Sequence, residues 1–440
     1  MFFWSWHKNS ISSYILWFIS GLLITLLISC TTPKATSNGE IEFWTMQLQP
    51  QFTPFFTELN KTFETQNTDN KIRWVDVPWN AMESKILTAV SGKNAPDVVN
   101  LNPDFAAQLA SRKAWLNLDE KITPEIKSQY LPKIWEANQI KLCGAENQCE
   151  TTTFGIPWYL TTTVTVYNQE LFKNAGVEKP PTTYEELAIV AEKVKSKTGK
   201  YAFFVPLIPN DSNEVLQSFV QMGVNLVNDQ GKAAFNTPEG IKVFRFWVDL
   251  FQKDLLPPEI MTQGHRHALE LYQAGELSLL GTGAEFLKTI SNNAPTIYDQ
   301  SGVAPQVTGN TNKRSVSVMN LVIPRDSNKL DAAINYALFV TNSDNQLNFA
   351  QQANVLPSHN DAIAKYISNL EQETTKDIVT EARKISAMQL NTAEVLIPPI
   401  KNINQLKKFI YENIQSAMLK EKTIEQAITD AANQWDNLSK

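Results

Sequence analysis

The chain has 440 residues, of which 43% are apolar, and its formal net charge is −6. This length is enough for two domains with ample cores. The acidic balance argues against a general nucleic-acid binder, because such a protein would present a basic face.

The N-terminus carries an export pattern that is separate from the fold. Lys8 gives a small positive region, and the apolar run Tyr14–Ile28 that follows is short for a membrane-spanning helix. The run leads into Cys30 through Leu-Ile-Ser, which resembles the lipobox of bacterial lipoproteins, where the cysteine thiol is lipidated. We therefore expect a signal peptide over 1–29 and a lipidated cysteine with a flexible tether over 30–39. The protein would be exported and anchored on the periplasmic or cell-surface side; an uncleaved membrane anchor is the alternative.

Two further cysteines, Cys143 and Cys149, lie close together in the chain. An exported compartment permits a disulfide between them, which would staple a small loop. Two free thiols are the alternative. Zinc is disfavoured because structural zinc sites need four ligands and no second ligand pair lies nearby. We expect the disulfide.

The first part of the fold alternates strands with helices. Apolar periodicity predicts strands over 40–45, 71–77 and 97–101, each followed by a helix. This order favours a parallel sheet with helices on its faces, and the ligands of such sheets lie off the carboxyl ends of the strands. Six residues at those ends are candidate ligand contacts: Trp44, Thr45, Trp79, Asn80, Asn102 and Asp104. Helix capping is the alternative for the two asparagines, and burial in the core is the alternative for the two tryptophans.

A segment interrupted by glycine and proline, Phe154–Ala175, lies near the middle of the chain and predicts a crossing between two lobes. Its β-branched residues predict a strand over Thr161–Val166, and a short capped helix follows. Trp158 and Tyr159 are expected to face a cleft between the lobes. They are the first candidates for ligand contacts in a protein that closes on a small solute.

A second informative stretch lies beyond the crossing. Ala202–Ile208 predicts a strand of the second lobe, and Leu277–Leu280 predicts another that runs into Gly281, Thr282 and Gly283. Two glycines after a strand let the backbone approach a ligand closely, although a tight turn is the alternative. No Gly-Lys-Ser/Thr sequence follows, so this is not a phosphate-binding P-loop.

Several separated segments carry one family pattern in the same order. They are Ala95–Ile122, the crossing FGIPWYLTTTVTVYNQELFKNAGV, Gln273–Gly281, Val322–Gln346 and Val355–Ala362. Together they resemble the sugar-binding class of extracellular solute-binding proteins that feed bacterial ABC importers, the group that includes maltose-binding protein. The resemblance covers nearly all of residues 40–440, and its strongest part is the crossing with the Tyr167-Asn168 pair.

The resemblance implies an α/β fold with two lobes and three crossings, the type II periplasmic-binding-protein architecture. The crossings are expected near 154–166, near Ser301 and beyond Ile323. The implied first lobe comprises 40–156 and 302–328, and the implied second lobe comprises 157–301 and 329–440.

Two departures from the family pattern concern ligand contacts. The family has Gly-Pro-Trp where this chain has Gly281–Gly283, with Glu285 and Phe286 just after it. The family often has arginine after its Leu-Pro pair, where this chain has His359. Glu285, Phe286 and His359 join the candidate contacts, and the differences predict a ligand preference particular to this chain.

The resemblance implies a lipoprotein that captures a sugar, oligosaccharide or polyol and delivers it to ABC transporter permease subunits by closing about its hinge. Sugars offer apolar faces on which aromatic rings stack, and the chain has 11 tryptophans to supply them. The implied protein is a monomer and not an enzyme, and it needs no cofactor, metal or nucleic acid.

Three other functions stay open at this point. Arg266 could bind the phosphate of a phosphorylated polyol such as glycerol phosphate or its diester. The segment Gly264–His267 contains two histidines that could share a metal ion. An exported glycoside hydrolase is the third alternative, although the chain contains neither Gly-x-Ser-x-Gly nor His-Glu-x-x-His.

Overall fold

The computed structural model describes residues 39–143, 149–209, 211, 213–397 and 399–438. The predicted signal peptide, Cys30 and the tether lie outside these residues. Across the described ranges, no helix is both long and apolar enough to cross a membrane.

The strands are short, and most of them belong to two sheets. Their bounds are β1 Glu40–Met46, β2 Lys71–Val77, β3 Val98–Leu101, β4 Gln139–Cys143, β5 Cys149–Thr153, β6 Ile156–Thr162, β7 Val164–Asn168, β8 Leu279–Thr282, β9 Ser301–Pro305, β10 Arg314–Val322, β11 Leu356–Pro357 and β12 Ala393–Glu394.

The helices pack around these sheets. Their bounds are α1 Thr53–Gln66, α2 Trp79–Ser91, α3 Pro103–Ala110, α4 Pro124–Lys127, α5 Pro132–Glu136, α6 Gln169–Ala175, α7 Tyr184–Thr198, α8 Glu214–Gln221, α9 Pro238–Gln252, α10 His265–Gln273, α11 Leu287–Asn293, α12 Pro295–Asp299, α13 Leu330–Val340, α14 Ser343–Ala353, α15 Asn360–Gln372, α16 Ile378–Gln389, α17 Ile403–Met418 and α18 Ile424–Leu438. Short 3₁₀ turns occur at Pro258–Met261 and Ala284–Phe286.

The first lobe is built on a mixed sheet with the strand order β11-β6-β10-β3-β1-β2, and β12 pairs with β10 outside this path. β1 runs parallel to β2 and β3, as predicted, whereas β10 lies antiparallel between β3 and β6. Along β1, Ile41 and Phe43 are buried in one apolar cluster, and Trp44 and Met46 are buried in another. Both faces of the sheet are therefore covered, which explains why every residue of β1 after Glu40 is buried.

The second lobe is built on a smaller antiparallel sheet with the order β8-β7-β9. Val164 and Val166 of β7 are buried in a core that also contains Phe219 of α8, Trp247 of α9 and Tyr411 of α17. The last two helices, α17 and α18, pack against each other and against α9. The C-terminal part of the described chain thus completes the second lobe.

The chain passes between the lobes three times. The first crossing is at Thr163, because β6 and β7 on either side of it lie in different sheets. The single strand predicted over Thr161–Val166 is therefore wrong: β-branched residues favour strands on both sides of the crossing, but the two halves pair with different partners. The second crossing runs over 306–313 and the third over 373–402.

The observed packing differs from the predicted lobe boundaries. β6 pairs within the first sheet, although the prediction gives 157–162 to the second lobe. Tyr336 of α13, Phe349 of α14 and Tyr366 of α15 are buried in the core of the first lobe, although the prediction gives 329–440 to the second. The third crossing follows α15; within it, α16 adds Ala382 to the core of the second lobe, and α17 and α18 complete that lobe.

A further difference concerns Ala202–Ile208, which is irregular backbone instead of the predicted strand. The Ala202 carbonyl accepts a hydrogen bond from the Leu279 N–H at 2.7 Å, so the segment still borders β8. Its apolar side chains are buried in the second lobe, which produces the same sequence signal as a buried strand.

A separate hairpin, β4–β5, projects just before the first crossing. Its register places Cys143 directly opposite Cys149. The hairpin is joined to the lobe through Thr153, whose N–H and hydroxyl both donate to the Asp119 carboxylate, at 2.9 and 2.5 Å.

Candidate functional site

The two lobes meet at the start of α3, where Asp104 accepts two hydrogen bonds from the second lobe. Nζ of Lys407, on α17, lies 2.6 Å from Oδ2 of Asp104, and Nδ2 of Asn213 lies 3.3 Å from the same oxygen. The Lys407 side chain is only 2% exposed. We call the space around these contacts, between the end of the first sheet and the second lobe, the interlobe cleft.

A second relationship across the cleft joins Tyr159 of β6 to Glu285, which lies in the turn after β8. Burial raises the pKa of the Tyr159 hydroxyl, and the charge of Glu285 raises it further. Burial also raises the pKa of the Glu285 carboxyl to about 7. The Glu285 carboxylate lies against Gly283, where a side chain would occupy the space of its oxygens.

The start of α10 lies beside the same turn. The Asp211 carboxylate accepts from the His265 N–H at 2.6 Å, and Nε2 of His265 lies 3.3 Å from the Thr282 hydroxyl. The imidazole ring meets the Phe286 ring edge-on, with centroids 5.7 Å apart. Burial lowers the pKa of His265, which favours the neutral ring. Burial and the Asp211 charge together raise the pKa of Glu214 to about 8.

Two predicted contacts are exposed at the carboxyl end of the first sheet. Trp79 is 47% exposed, unusually high for an indole, and its backbone N–H donates to the Gln47 side chain at 3.3 Å. Asn80 is also exposed. Since Pro78 occupies the N-cap position of α2, the alternative role of Asn80 as a helix cap is wrong. Both side chains are free to meet a solute.

Trp44 and Thr45, two other predicted contacts on this edge, are buried instead. The Trp44 indole N–H donates to Oε1 of Glu42 at 2.7 Å, and Lys85 Nζ lies 4.3 Å from its ring centroid. The Thr45 hydroxyl donates to Asp76 at 2.7 Å. The structure therefore places both side chains in the scaffold, with their polar atoms already paired.

Trp158 is 1% exposed and lies in the core of the first lobe. Its ring stacks on Phe349 with centroids 4.9 Å apart and meets Phe43 and Phe56 edge-on. The expectation that Trp158 faces the cleft is wrong, because its ring is enclosed by aromatic side chains of the first-lobe core. Its neighbour Tyr159 also packs against Phe349 but is half-buried, and burial together with the charge of Glu285 raises the pKa of its hydroxyl.

Asn102 and His359 act as helix caps. Asn102 Oδ1 accepts from the Phe105 N–H at 2.9 Å at the start of α3. Nδ1 of His359 accepts from the Asp361 N–H at 3.2 Å, and its ring packs against Tyr130. His359 is 6% exposed and lies within the first lobe, so the structure does not bring it to the cleft.

The structure confirms a strand here, but β8 spans Leu279–Thr282 instead of the predicted Leu277–Leu280, so Gly281 and Thr282 lie within the strand and only Gly283 follows it. Gly281 is exposed, whereas the Thr282 side chain is buried against His265. Phe286 is half-buried against the core of the second lobe. Of the contacts predicted here, Gly283, Glu285 and Phe286 lie together in one turn.

The sequence predictions missed four residues that line the cleft: Asp211, Asn213, His265 and Lys407. His265 belongs to the histidine pair that the sequence had marked as a possible metal site. In the described part of the chain, no group of three or more histidine, cysteine, aspartate or glutamate side chains could hold a metal ion. No local motif distinguishes Lys407 from the other lysines of its amphipathic helix.

Comparison with known proteins shows which protein family this chain matches. The family model for bacterial extracellular solute-binding proteins matches residues 49–347. A proposed oligosaccharide periplasmic-binding protein from Synechococcus sp. MITs9220, solved in complex with zinc, is 40% identical. That structure aligns over 91% of this chain and 98% of its own, with a TM-score of 0.84.

Two more distant relatives are described together with a carbohydrate solute. The GacH receptor of Streptomyces glaucescens, solved unliganded and with acarbose, is 20% identical over 91% of this chain and 98% of its own, with a TM-score of 0.74. The arabinooligosaccharide-binding protein of Bacillus subtilis is 23% identical over 343 residues, which are 73% of this chain and 75% of that protein.

Proposed function

The chain belongs to the family of bacterial extracellular solute-binding proteins, and from this we propose that it captures a neutral sugar, oligosaccharide or polyol and delivers it to an ABC transporter. The two-lobed fold implied by the sequence resemblance is confirmed. The observation that carries the proposal is the meeting of the two lobes at Asp104, whose carboxylate accepts hydrogen bonds from Lys407 and Asn213 of the second lobe. A solute that contacts both lobes only when they are closed shifts the protein towards the closed state.

The side chains around the cleft suit a carbohydrate. Trp79 offers an exposed indole on which the apolar face of a sugar ring can stack. Glu285 and Asp211 are acceptors for sugar hydroxyls, and Tyr159 and Asn80 offer both donors and acceptors. We propose these residues as the ligand contacts, with Gly283 and Phe286 shaping the same wall. The relatives named for oligosaccharides support this class of solute.

A phosphorylated polyol fits the cleft less well. The Arg266 side chain is 93% exposed and lies 3.5 Å from the carboxylate of Glu270 on its own helix. Lys407 faces the cleft, but Asp104 already neutralises it. The other acidic groups there, Asp211, Glu214 and Glu285, supply no positive charge that would attract a phosphate. The family and the relatives are binding proteins, so we propose capture without catalysis.

The experiment is a thermal-shift screen on the purified protein. Its arms are arabino-oligosaccharides, acarbose, simple polyols, glycerol phosphate and zinc, the last because the 40% identical relative was solved with it. A stabilising shift with a neutral carbohydrate, lost in Glu285→Gln, supports the proposal. A shift with zinc or glycerol phosphate alone contradicts it.

The family is extracellular, and we propose that this member is a monomeric lipoprotein attached to the membrane through Cys30. Lipidation at the thiol, with the tether after it, would leave both lobes free to meet the permease subunits. Cys30→Ala should release the protein from the membrane fraction. Retention of this variant in membranes would contradict the anchor.

We also propose that Cys143 and Cys149 form a disulfide. They face each other across an antiparallel hairpin, where directly opposite Cα atoms are about 4.5–5.5 Å apart, within the range a disulfide spans. Peptide mapping without reductant should recover the two cysteines in one linked peptide. Full alkylation of both thiols without prior reduction would contradict it.

A further inference from the structure

The first and second crossings lie side by side where the two sheets separate. In the second sheet, Val164, the first residue of β7, pairs with Pro305, the last residue of β9. In the first sheet, Thr162 of β6 pairs with Val316 of β10. Thr163 lies between these two ladders, so its backbone needs a hydrogen-bond partner from elsewhere.

The side chain of Gln389, at the end of α16, supplies that partner. Its Nε2 donates to the Thr163 carbonyl at 3.1 Å, and its Oε1 accepts from the Gln306 N–H at 2.8 Å. Gln389 is 5% exposed and Gln306 is 8% exposed, so water has little access to these bonds. One amide therefore bridges two crossings in the way that a peptide group bridges two strands.

The same region is bonded to β10. The Gln306 side chain accepts from the Ser315 N–H at 2.8 Å. The Arg314 N–H donates to the Thr392 carbonyl at 3.3 Å, just beyond α16. The third crossing is thus bonded to the other two, and Gln389 lies at the point where all three meet.

We propose that Gln389 is a positioning residue that fixes the hinge at Thr163 and Gln306 and holds these crossings together as the lobes close. The role needs a donor and an acceptor at the end of one side chain, which an amide provides. Methionine has a similar length and shape but cannot make both bonds. A buried backbone group left without a partner destabilises the arrangement that buries it.

The proposal rests on the closure proposed above, but its test needs no solute. Gln346 provides a matched control, because it is also a buried glutamine whose amide bonds to backbone groups. Its Oε1 accepts from the Ser358 N–H at 2.6 Å and its Nε2 donates to the Thr341 carbonyl at 2.8 Å, all within the first lobe. Gln389→Met therefore removes a buried side-chain amide at the hinge, and Gln346→Met removes the same group away from the hinge.

Hydrogen exchange and small-angle X-ray scattering on the solute-free protein measure the effect. In Gln389→Met we expect the Gln306 amide to exchange about tenfold faster, and the radius of gyration to rise as the lobes separate. In Gln346→Met we expect a lower melting temperature with exchange at Gln306 and the radius of gyration as in wild type.

Two outcomes would overturn the proposal. The first is that both variants change exchange at Gln306 and the radius of gyration equally, which marks a merely structural amide. The second is measured on the wild-type protein, so it applies even if Gln389→Met does not fold. If the wild-type Gln306 amide exchanges as fast as an exposed loop amide, it has no hydrogen bond to Gln389. A failed carbohydrate screen leaves both measurements unaffected.

Discussion

Lys407 Nζ lies 2.6 Å from Asp104 Oδ2, and this ion pair joins α17 of the second lobe to the start of α3 in the first. The Lys407 side chain is 2% exposed and that of Asp104 is 26% exposed. When one partner of such a pair is removed, the remaining charge keeps its desolvation cost and loses its counterion.

Lys407→Met should lower the free energy of unfolding by about 2 kcal/mol, below the value for a fully buried pair because water reaches Asp104. Urea denaturation measures the change. The double variant Lys407→Met/Asp104→Asn removes both charges and should recover most of the loss. A single variant as stable as wild type would show that the pair does not stabilise the contact between the lobes.

Trp79→Ala should weaken carbohydrate binding without changing the melting temperature, because the indole is 47% exposed. Titration calorimetry with the carbohydrate identified in the screen measures the affinity. Trp158→Ala is the contrasting variant: it empties a core site and should lower the free energy of unfolding by about 3–5 kcal/mol. An unchanged affinity in Trp79→Ala would remove this side chain from the ligand contacts.

Glu285→Gln should change how stability depends on pH. The pKa of the Glu285 carboxyl rises from the ordinary 4.5 to about 7 in the folded protein, so the folded state holds this proton more tightly than the unfolded state. Its contribution to stability is present below pH 4.5, falls as the pH rises through this window and levels off above pH 7.

Chemical denaturation between pH 4.5 and pH 8 tests this effect. Subtracting the free energy of unfolding of wild type from that of Glu285→Gln at each pH removes the contribution of Glu214, which titrates in both proteins. The variant should gain stability relative to wild type as the pH rises. A difference that does not vary with pH would mean that burial does not shift the Glu285 carboxyl.

Asn102 separates a capping role from a ligand contact. Asn102→Ala should reduce the free energy of unfolding by about 1 kcal/mol through loss of the N-cap of α3, whereas Asn102→Ser should retain the cap. Thermal melting compares the two. Carbohydrate affinity should be the same in both variants, and a loss of affinity in the serine variant would return Asn102 to the ligand contacts.

The sequence predicted the first part of the fold well because its signals are local. The strands at Glu40–Met46 and Lys71–Val77 lie within a residue of their predicted bounds, since alternation along one strand is visible in the sequence. At the start of α7 the Thr183 hydroxyl accepts from the Glu186 N–H at 3.2 Å, an N-cap formed by residues three positions apart. Each signal involves residues a few positions apart.

The candidate site was harder to predict because it depends on distant parts of the chain. Trp79 follows a strand and Trp158 lies within one, and only the packing of Phe349 on Trp158 shows which indole is buried. Asp104 and Lys407 are 303 positions apart, and no periodicity relates them. The run of β-branched residues over Thr161–Val166 does not show that the chain passes from one sheet to the other at Thr163.

The position of β10 constrains how the protein can be made. This strand lies between β6 and β3, so without residues 314–322 the first sheet is divided into two unjoined parts. The second lobe needs α17 and α18, which come later still. A growing or truncated chain therefore keeps both lobes unfinished until almost all of the described residues are present, and neither lobe corresponds to one continuous segment that could be produced alone.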